Sequence, residues 1–359
     1  MKALRVFLAG GLLGFGLATA PTTEATYPGR NGDLAFSAVG LGPPGQPSVL
    51  WRLNPRTDKM RQLTQPAPSC RWRDFWNDSD VQWSPEGRSL TYFHWDSCSG
   101  SASRVGVWIM AGDGSRGRRI ALATRDAMPM FSPDGKRVAV LWLKFFGDPL
   151  DVETQSLKPV LSVFGTRDRA VLNETGLPRL LGLVDQGSDW GVSGRIALAS
   201  YRPRTGQRIE AVRADGDSRR RLTSAVRDGP LRGPSVDAEP SWGPDGRRLV
   251  FVRTREVPLP SRPRDAARTS QVTRQMSNVW LARAGARPDS GRRLTRLRFA
   301  HNPAFSPDGC SIVFSTPGGI YTLPASGGPV RRVVALGHRM RWGLTWQALS
   351  RGRPPRKCT

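Results

Sequence analysis

Apolar residues spaced two apart recur along the chain behind one short turn. Trp83 opens WSPEGRSL, Phe131 opens FSPDGKRV, Trp242 opens WGPDGRRL and Phe305 opens FSPDGCSI. Each copy is an aromatic, a Pro-Asp-Gly type turn, a basic or polar pair and then an alternating apolar run. Pro presets φ at the second turn position and Gly accepts a positive φ at the end, so the phrase suits a tight hairpin. The alternation after it predicts a half-buried strand. That second-strand slot appears six times: Leu34 and Phe36, Leu90 and Tyr92, Val138 and Val140, Ile196 and Leu198, Leu249 and Phe251, Ile312 and Phe314. Residues two apart share one face of a strand, which makes these pairs the expected core. DWGVSGRIAL is a degenerate copy of the turn, with Gly194 in the glycine slot.

A third-strand slot is often aromatic, at Trp51, Trp108, Trp280 and Tyr321. A fourth reads basic-basic-apolar-Thr, ending at Thr64, Thr223 and Thr295, with weaker versions at Ile120 and Val334. The third repeat is the least defined, and its outer strands are expected between Leu150 and Leu172. Hairpins returning at roughly 40–60 residue intervals predict an all-β fold, a six-bladed β-propeller of four-stranded blades. NGDLAFSA, near the start, reads as a second strand with no first strand before it. RWGLTWQAL, near the end, reads as a first strand around Trp346 with no partner after it. Pairing of these N- and C-terminal strands would complete one blade and close the ring.

The first residues read differently. Lys2 and Arg5 precede an apolar stretch from Val6 to Leu17 and then small residues, the pattern of a secretory signal and too short for a membrane span. Cleavage after Ala20 would leave Pro21 at the cut, so cleavage after Ala25 is preferred. The expected organisation is a signal peptide over 1–25 and one propeller over 26–359, secreted or in the cell envelope or periplasm, monomeric, with no transmembrane span in the mature chain. The formal net charge is +25, and of 54 basic residues 48 are Arg and six are Lys. Such a charge suits anionic envelope polymers, lipid headgroups or nucleic acid. The basic runs before Leu222, Leu294 and Val333, however, fall on the outermost strands, where charge blocks edge-to-edge pairing.

The SPDG repeats resemble those of the TolB-like six-bladed propellers, a WD-repeat-like family, over nearly the whole mature chain. The resemblance implies fold rather than job. The α/β domain that precedes the propeller in TolB has no counterpart in the sequence, and neither has the hydrolase domain that follows it in prolyl-oligopeptidase relatives.

Four cysteines in an exported chain predict two disulfides, with four free thiols as the alternative. The strand order puts Cys70 and Cys98 in loops on one face, and Cys310 and Cys358 on the opposite face, so Cys70–Cys98 and Cys310–Cys358 are the expected pairs. Long loops gather on the first face: CRWRDFWNDS after Cys70, LKFFGDP at Leu143, the 161–188 connection and an insertion from Thr254 to Gln275. Arg71, Trp72, Arg73, Phe75 and Trp76 are the candidate partner-binding residues there. The residue three before a first-strand aromatic is expected at the channel mouth, namely Asp80, Met128, Glu239 and Asn302. Asp80, Glu239, His301 and Asn302 are therefore the candidate ligand-binding residues.

GxSxG and HExxH are absent. The three histidines, His94, His301 and His338, read as surface or loop residues, and the DG pairs at Asp113 and Asp215 as hairpin turns. The expected function is non-catalytic: binding of a protein or anionic envelope polymer through the long-loop face. The alternative is a Ca²⁺-dependent hydrolase of lactonase or phosphoesterase type in the channel, where several oxygen ligands would converge. Ca²⁺ is thus the only cofactor considered, no metal ligands are assigned, and nucleic acid is not an expected partner.

Overall fold

The computed structural model describes residues 27–39, 47–66, 76–96, 105–123, 127–146, 156–177, 187–202, 206–224, 235–258, 273–288, 290–337, 340–351 and 358. The described residues form strands and turns, with no helix long and apolar enough to cross a membrane. The first unit holds β1 (Gly29–Val39), β2 (Ser48–Leu53) and β3 (Met60–Gln62). The second holds β4 (Trp76–Trp83), β5 (Ser89–Asp96), β6 (Gly106–Ala111) and β7 (Arg118–Ala121). The third holds β8 (Met128–Phe131), β9 (Arg137–Phe146), β10 (Ser156–Gly165) and β11 (Val171–Gly176). The fourth holds β12 (Ser188–Trp190), β13 (Arg195–Arg202), β14 (Gly206–Arg213) and β15 (Arg220–Arg221). The fifth holds β16 (Val236–Trp242), β17 (Arg248–Pro258), β18 (Thr273–Arg283) and β19 (Arg292–Arg293). The sixth holds β20 (His301–Phe305), β21 (Ser311–Thr316), β22 (Gly319–Pro324) and β23 (Arg331–Ala335). The last strand, β24 (Met340–Arg351), returns to the first unit.

These strands bond into two eight-stranded and two four-stranded sheets. Each eight-stranded sheet divides at a single parallel bridge, Ser48 opposite Asn77 in one and Gln207 opposite Val236 in the other. On either side of the bridge the pairing is antiparallel, so the repeating element is a four-stranded unit. In the first unit the inner strand is β24, and Leu34 of β1 lies opposite Trp346.

The slots read from the sequence have physical jobs. All twelve apolar residues of the second-strand slots are buried. They pack into clusters that join consecutive units, and one of them joins the sixth unit to the first through Ala304, Val313, Leu34 and Leu344. The short outer strands then explain the Thr of basic-basic-apolar-Thr. Where β3, β15 and β19 end, Thr64, Thr223 and Thr295 each accept a hydrogen bond at 2.9 Å, from the Leu50, Ile209 and Val279 amides respectively. A hydroxyl thus satisfies a buried amide that the stopped strand no longer reaches. Arg220, Arg221, Arg292, Arg293, Arg331 and Arg332 stand exposed on the outer strands.

Several loops of the sequence reading are strands instead. Leu143 to Phe146 extends β9, and the second half of β10 with all of β11 falls within the 161–188 connection. The outer strands of the third unit therefore run from Ser156 to Gly176, beyond the expected limit at Leu172. Both ends of the Thr254–Gln275 insertion continue the β17–β18 hairpin, with Glu256 opposite Gln275 and Pro258 opposite Thr273. Cross-strand pairing carries these segments, although their alternation is broken by Lys, Arg and Pro.

Cys310 and Cys358 form the expected disulfide, with Cα atoms 5.2 Å apart. The Cys70–Cys98 pair, His338 and residues 1–25 lie outside the described residues.

Candidate functional site: the channel mouth

The inner strands β24, β4, β8, β12, β16 and β20 are neighbours in that cyclic order, β20 touching β24. Five of them end in an aromatic, Trp83, Phe131, Trp190, Trp242 and Phe305, and Trp346 holds the matching place within β24. A cavity of about 130 Å³ lies between them and is lined by all six strands or the residue just before them.

The residue three before each aromatic lines this cavity: Gly343, Asp80, Met128, Gly187, Glu239 and Asn302. Five of the six have left-handed backbone. Asp80, Glu239 and Asn302 have φ of 52°, 51° and 50°, and Gly343 and Gly187 have 78° and 79°. At Asp80, Glu239 and Asn302 the ladder shifts register, so each is the extra residue of a bulge. The two glycines are required by close approach. A Cβ on Gly343 would lie 2.7 Å from the Val81 nitrogen, and one on Gly187 would lie 2.7 Å from the Glu239 Cα. Sequence reading placed four of these residues at the mouth. It missed Gly187 and Gly343, although the same count back from Trp190 and Trp346 finds them.

His301, Glu239 and Asn302 form one connected group. His301 Nδ1 lies 3.2 Å from Glu239 Oε1, and the Asn302 amide donates to Glu239 Oε2. Asn302 donates through Nδ2 to Ser315 Oγ at 3.1 Å and accepts from the Gly343 amide at 3.2 Å. Ser79 Oγ donates to Asp80 Oδ2 at 2.7 Å. The Glu239 bond raises the His301 pKa against the opposing pull of partial burial, so the imidazolium is favoured. The His301 side chain is 39% exposed, enough to meet a ligand.

Deeper in the channel lies a second network that the sequence did not suggest. Gln82 accepts from the Phe131 amide at 2.7 Å and donates to Asp189 Oδ1 at 3.0 Å. Asp189 Oδ2 accepts from the Trp242 amide at 2.7 Å. The bridge from Gln82 to Asp189 joins the second unit to the fourth, so it forms a floor beneath the mouth. Burial raises the Asp189 pKa to about 6, against the lowering effect of its hydrogen bonds from Trp242, Ser241 and Gln82. Tyr27 also lines the cavity, donates to the Phe131 carbonyl at 3.1 Å and is buried, which pushes its pKa well up.

The other candidates fare differently. Among the described residues no group of three or more His, Cys, Asp or Glu is placed to hold a metal ion. At the mouth each Glu239 oxygen has one hydrogen-bond partner, His301 Nδ1 and the Asn302 amide. Arg71, Trp72, Arg73 and Phe75 lie outside the described residues. Trp76 is drawn inward: its Nε1 donates to Asp78 Oδ2 at 3.0 Å and its ring meets the His94 ring edge-on at 4.6 Å. His94 is buried with Asp78 rather than on the surface, a correction to its reading as a surface or loop residue. Its burial is possible because the carboxylate of Asp78 on the adjacent strand compensates it.

No protein-family model matches the chain, and no curated protein matches it by sequence. Solved structures do. TolB from Acinetobacter baumannii superposes with a TM-score of 0.58 at 17% identity, over 90% of this chain and 69% of that one. An oligogalacturonate lyase from Vibrio parahaemolyticus gives a TM-score of 0.47 at 11% identity, over 88% and 80% of the two chains. An acylaminoacyl peptidase from Pyrococcus horikoshii gives 0.47 at 12%, over 87% and 46%. The fold is thus TolB-like. Enzymes stand among the structures of similar shape, which overturns the expectation of a non-catalytic propeller: this architecture does not mark a chain as a binder alone. The use of Trp76 inside the sheet also removes one anchor from the proposed long-loop surface.

Proposed function

On this TolB-like fold, we propose that the four-stranded units are six blades of one ring closed by the β1–β24 pairing, and that the channel mouth is its functional site. Asp80, Glu239, His301 and Asn302 there engage a small ligand rich in hydrogen-bond donors, such as sugar hydroxyls or amines. The observation that supports this best is the backbone. Three non-glycine residues hold left-handed φ at equivalent bulges, each costing roughly 1–2 kcal/mol, and each lines the same cavity. A packed channel would meet the same geometry more cheaply with glycine, as at Gly187 and Gly343. Retaining carboxylates and an amide favours contact with a ligand. His301, oriented by Glu239 and favoured as imidazolium, can also pass a proton to or from such a ligand.

The reading includes export, with residues 1–25 as the signal and 26–359 as one monomeric propeller domain working in the envelope or outside the cell. The Cys310–Cys358 disulfide supports an oxidising compartment.

Calorimetric titration with a panel of oligosaccharides and polyamines tests the site. A ligand that binds the protein is expected to lose about tenfold or more in affinity with Glu239→Gln and with Asp80→Asn. Undiminished binding by both variants would place the ligand elsewhere.

A further inference from the structure

A second cavity, of about 600 Å³, opens on the SPDG-turn face between the third and fourth units. Its origin is visible in the turn glycines. A Cβ on Gly135 would sit 3.0 Å from Glu86, one on Gly246 would sit 2.2 Å from Val192, and one on Gly309 would sit 2.8 Å from Arg248. In each case the turn is packed against the turn of the preceding unit. A Cβ on Gly194 would meet nothing within 4 Å. The fourth unit carries Val192-Ser193-Gly194 where its neighbours carry Pro-Asp-Gly; Val192 is buried in a cluster with third-unit residues, and space is left at Gly194.

The space left is chemically sorted. Leu172, 54% exposed, supplies aliphatic surface, with Trp190 and Val163 buried beneath the wall. Arg137, Arg195 and Arg213 bring three guanidinium groups to the same walls. The Arg137 guanidinium lies over the Trp190 ring, 5.2 Å from its centroid. Arg195 spends one N–H on the Ser218 carbonyl at 2.8 Å. Two acidic residues stand at the rim. Asp134 Oδ1 accepts from the Lys136 amide at 3.0 Å while its Oδ2 pairs with Arg137 Nη2 at 3.6 Å, and Asp215 Oδ1 accepts from the Asp217 amide at 2.9 Å. Three guanidinium groups thus face two acids, and one of the three is already paired.

We propose that this cleft is a binding site for a small organic anion, a carboxylate or phosphate monoester carried on a flat apolar body. Guanidinium N–H groups match the paired oxygens of either anion. The exposed Leu172 side chain and the Arg137 guanidinium plane stacked on Trp190 take the body, the usual division of labour in a small-molecule pocket. The proposal is independent of the channel mouth, which lies between the inner strands.

The probe is 1-anilinonaphthalene-8-sulfonate, a fluorescent aromatic anion, titrated into the folded protein. One saturable site per chain is expected, displaced by 2-naphthoate and by 1-naphthyl phosphate but not by 1-naphthylmethylamine. The ratio of the two anions' affinities identifies whether carboxylate or phosphate is preferred. Arg213→Gln should weaken the probe about tenfold, the loss of one charge-assisted bond pair. Ser193→Phe, which fills the cleft from an exposed turn position, should abolish binding at an unchanged melting temperature. Unaltered affinity in both variants, displacement by the amine, or many weak sites in place of one would overturn the proposal.

Discussion

Two junctions in this protein solve one problem with different chemistry. Where the first unit joins the second, and where the fourth joins the fifth, an aspartate stands five residues before an inner-strand Trp: Asp78 before Trp83 and Asp237 before Trp242. Both are buried, and both face a basic residue directly across the ladder, His94 and Arg253. Both carbonyls are held by the preceding unit, that of Asp78 by Ser37 at 2.6 Å and that of Asp237 by Gln207 at 3.2 Å. The carboxylates differ. Arg253 satisfies both oxygens of Asp237, at 2.6 and 2.7 Å, and reaches the Ser224 carbonyl at 2.9 Å. His94 reaches one oxygen of Asp78 at 2.6 Å, and the Trp76 indole supplies the other bond. A buried carboxylate needs its acceptor capacity filled, and the fold meets that need with one fork or with two rings. Before Phe305 the equivalent residue is Ala300, and there the fifth and sixth units lie in separate sheets.

The largest effect should come from the fork. Arg253→Met leaves the Asp237 carboxylate buried without its cation and should cost about 3–5 kcal/mol in chemical denaturation. A loss near that of an exposed residue would mean that water reaches Asp237.

Asp189 extends the comparison, since its partners in the channel floor are neutral donors. Its pKa rises to about 6 from an ordinary 3.8, so the folded protein holds a proton that the unfolded chain has released. The contribution is complete below about pH 4 and is lost as pH rises through 6, on the order of 3 kcal/mol in all. Asp189→Asn should flatten that part of the stability profile. A slope between pH 4 and 6 that survives in the variant would assign it to another carboxyl.

His94→Phe keeps a ring against Trp76 and Trp108 but removes one charge-assisted bond. It should cost about 2 kcal/mol, less than the fork, because the Trp76 indole remains on Asp78. Equal losses from His94→Phe and Arg253→Met would erase the distinction between the junctions.

Much of this was legible in the chain. The second-strand slots, the Thr that follows three of the outer strands, the Cys310–Cys358 link and the cavity-lining position of Asp80, Glu239 and Asn302 all follow from counting within a repeat. The third unit was hard to read because its outer strands lack the aromatic and the Arg-Arg-Leu-Thr phrase of its neighbours. His94 was misread because nothing local shows that Asp78, sixteen residues earlier, lies beside it.

Period and turn chemistry settle which face a side chain takes, since alternate residues of a strand point the same way whatever lies beyond. They do not settle what it meets. Gln82 touches Asp189 across 107 positions, and Glu239 touches His301 across 62. Such partners come together only when separate sheets are packed side by side, and it is apolar packing between neighbouring units, not any local signal, that sets them there.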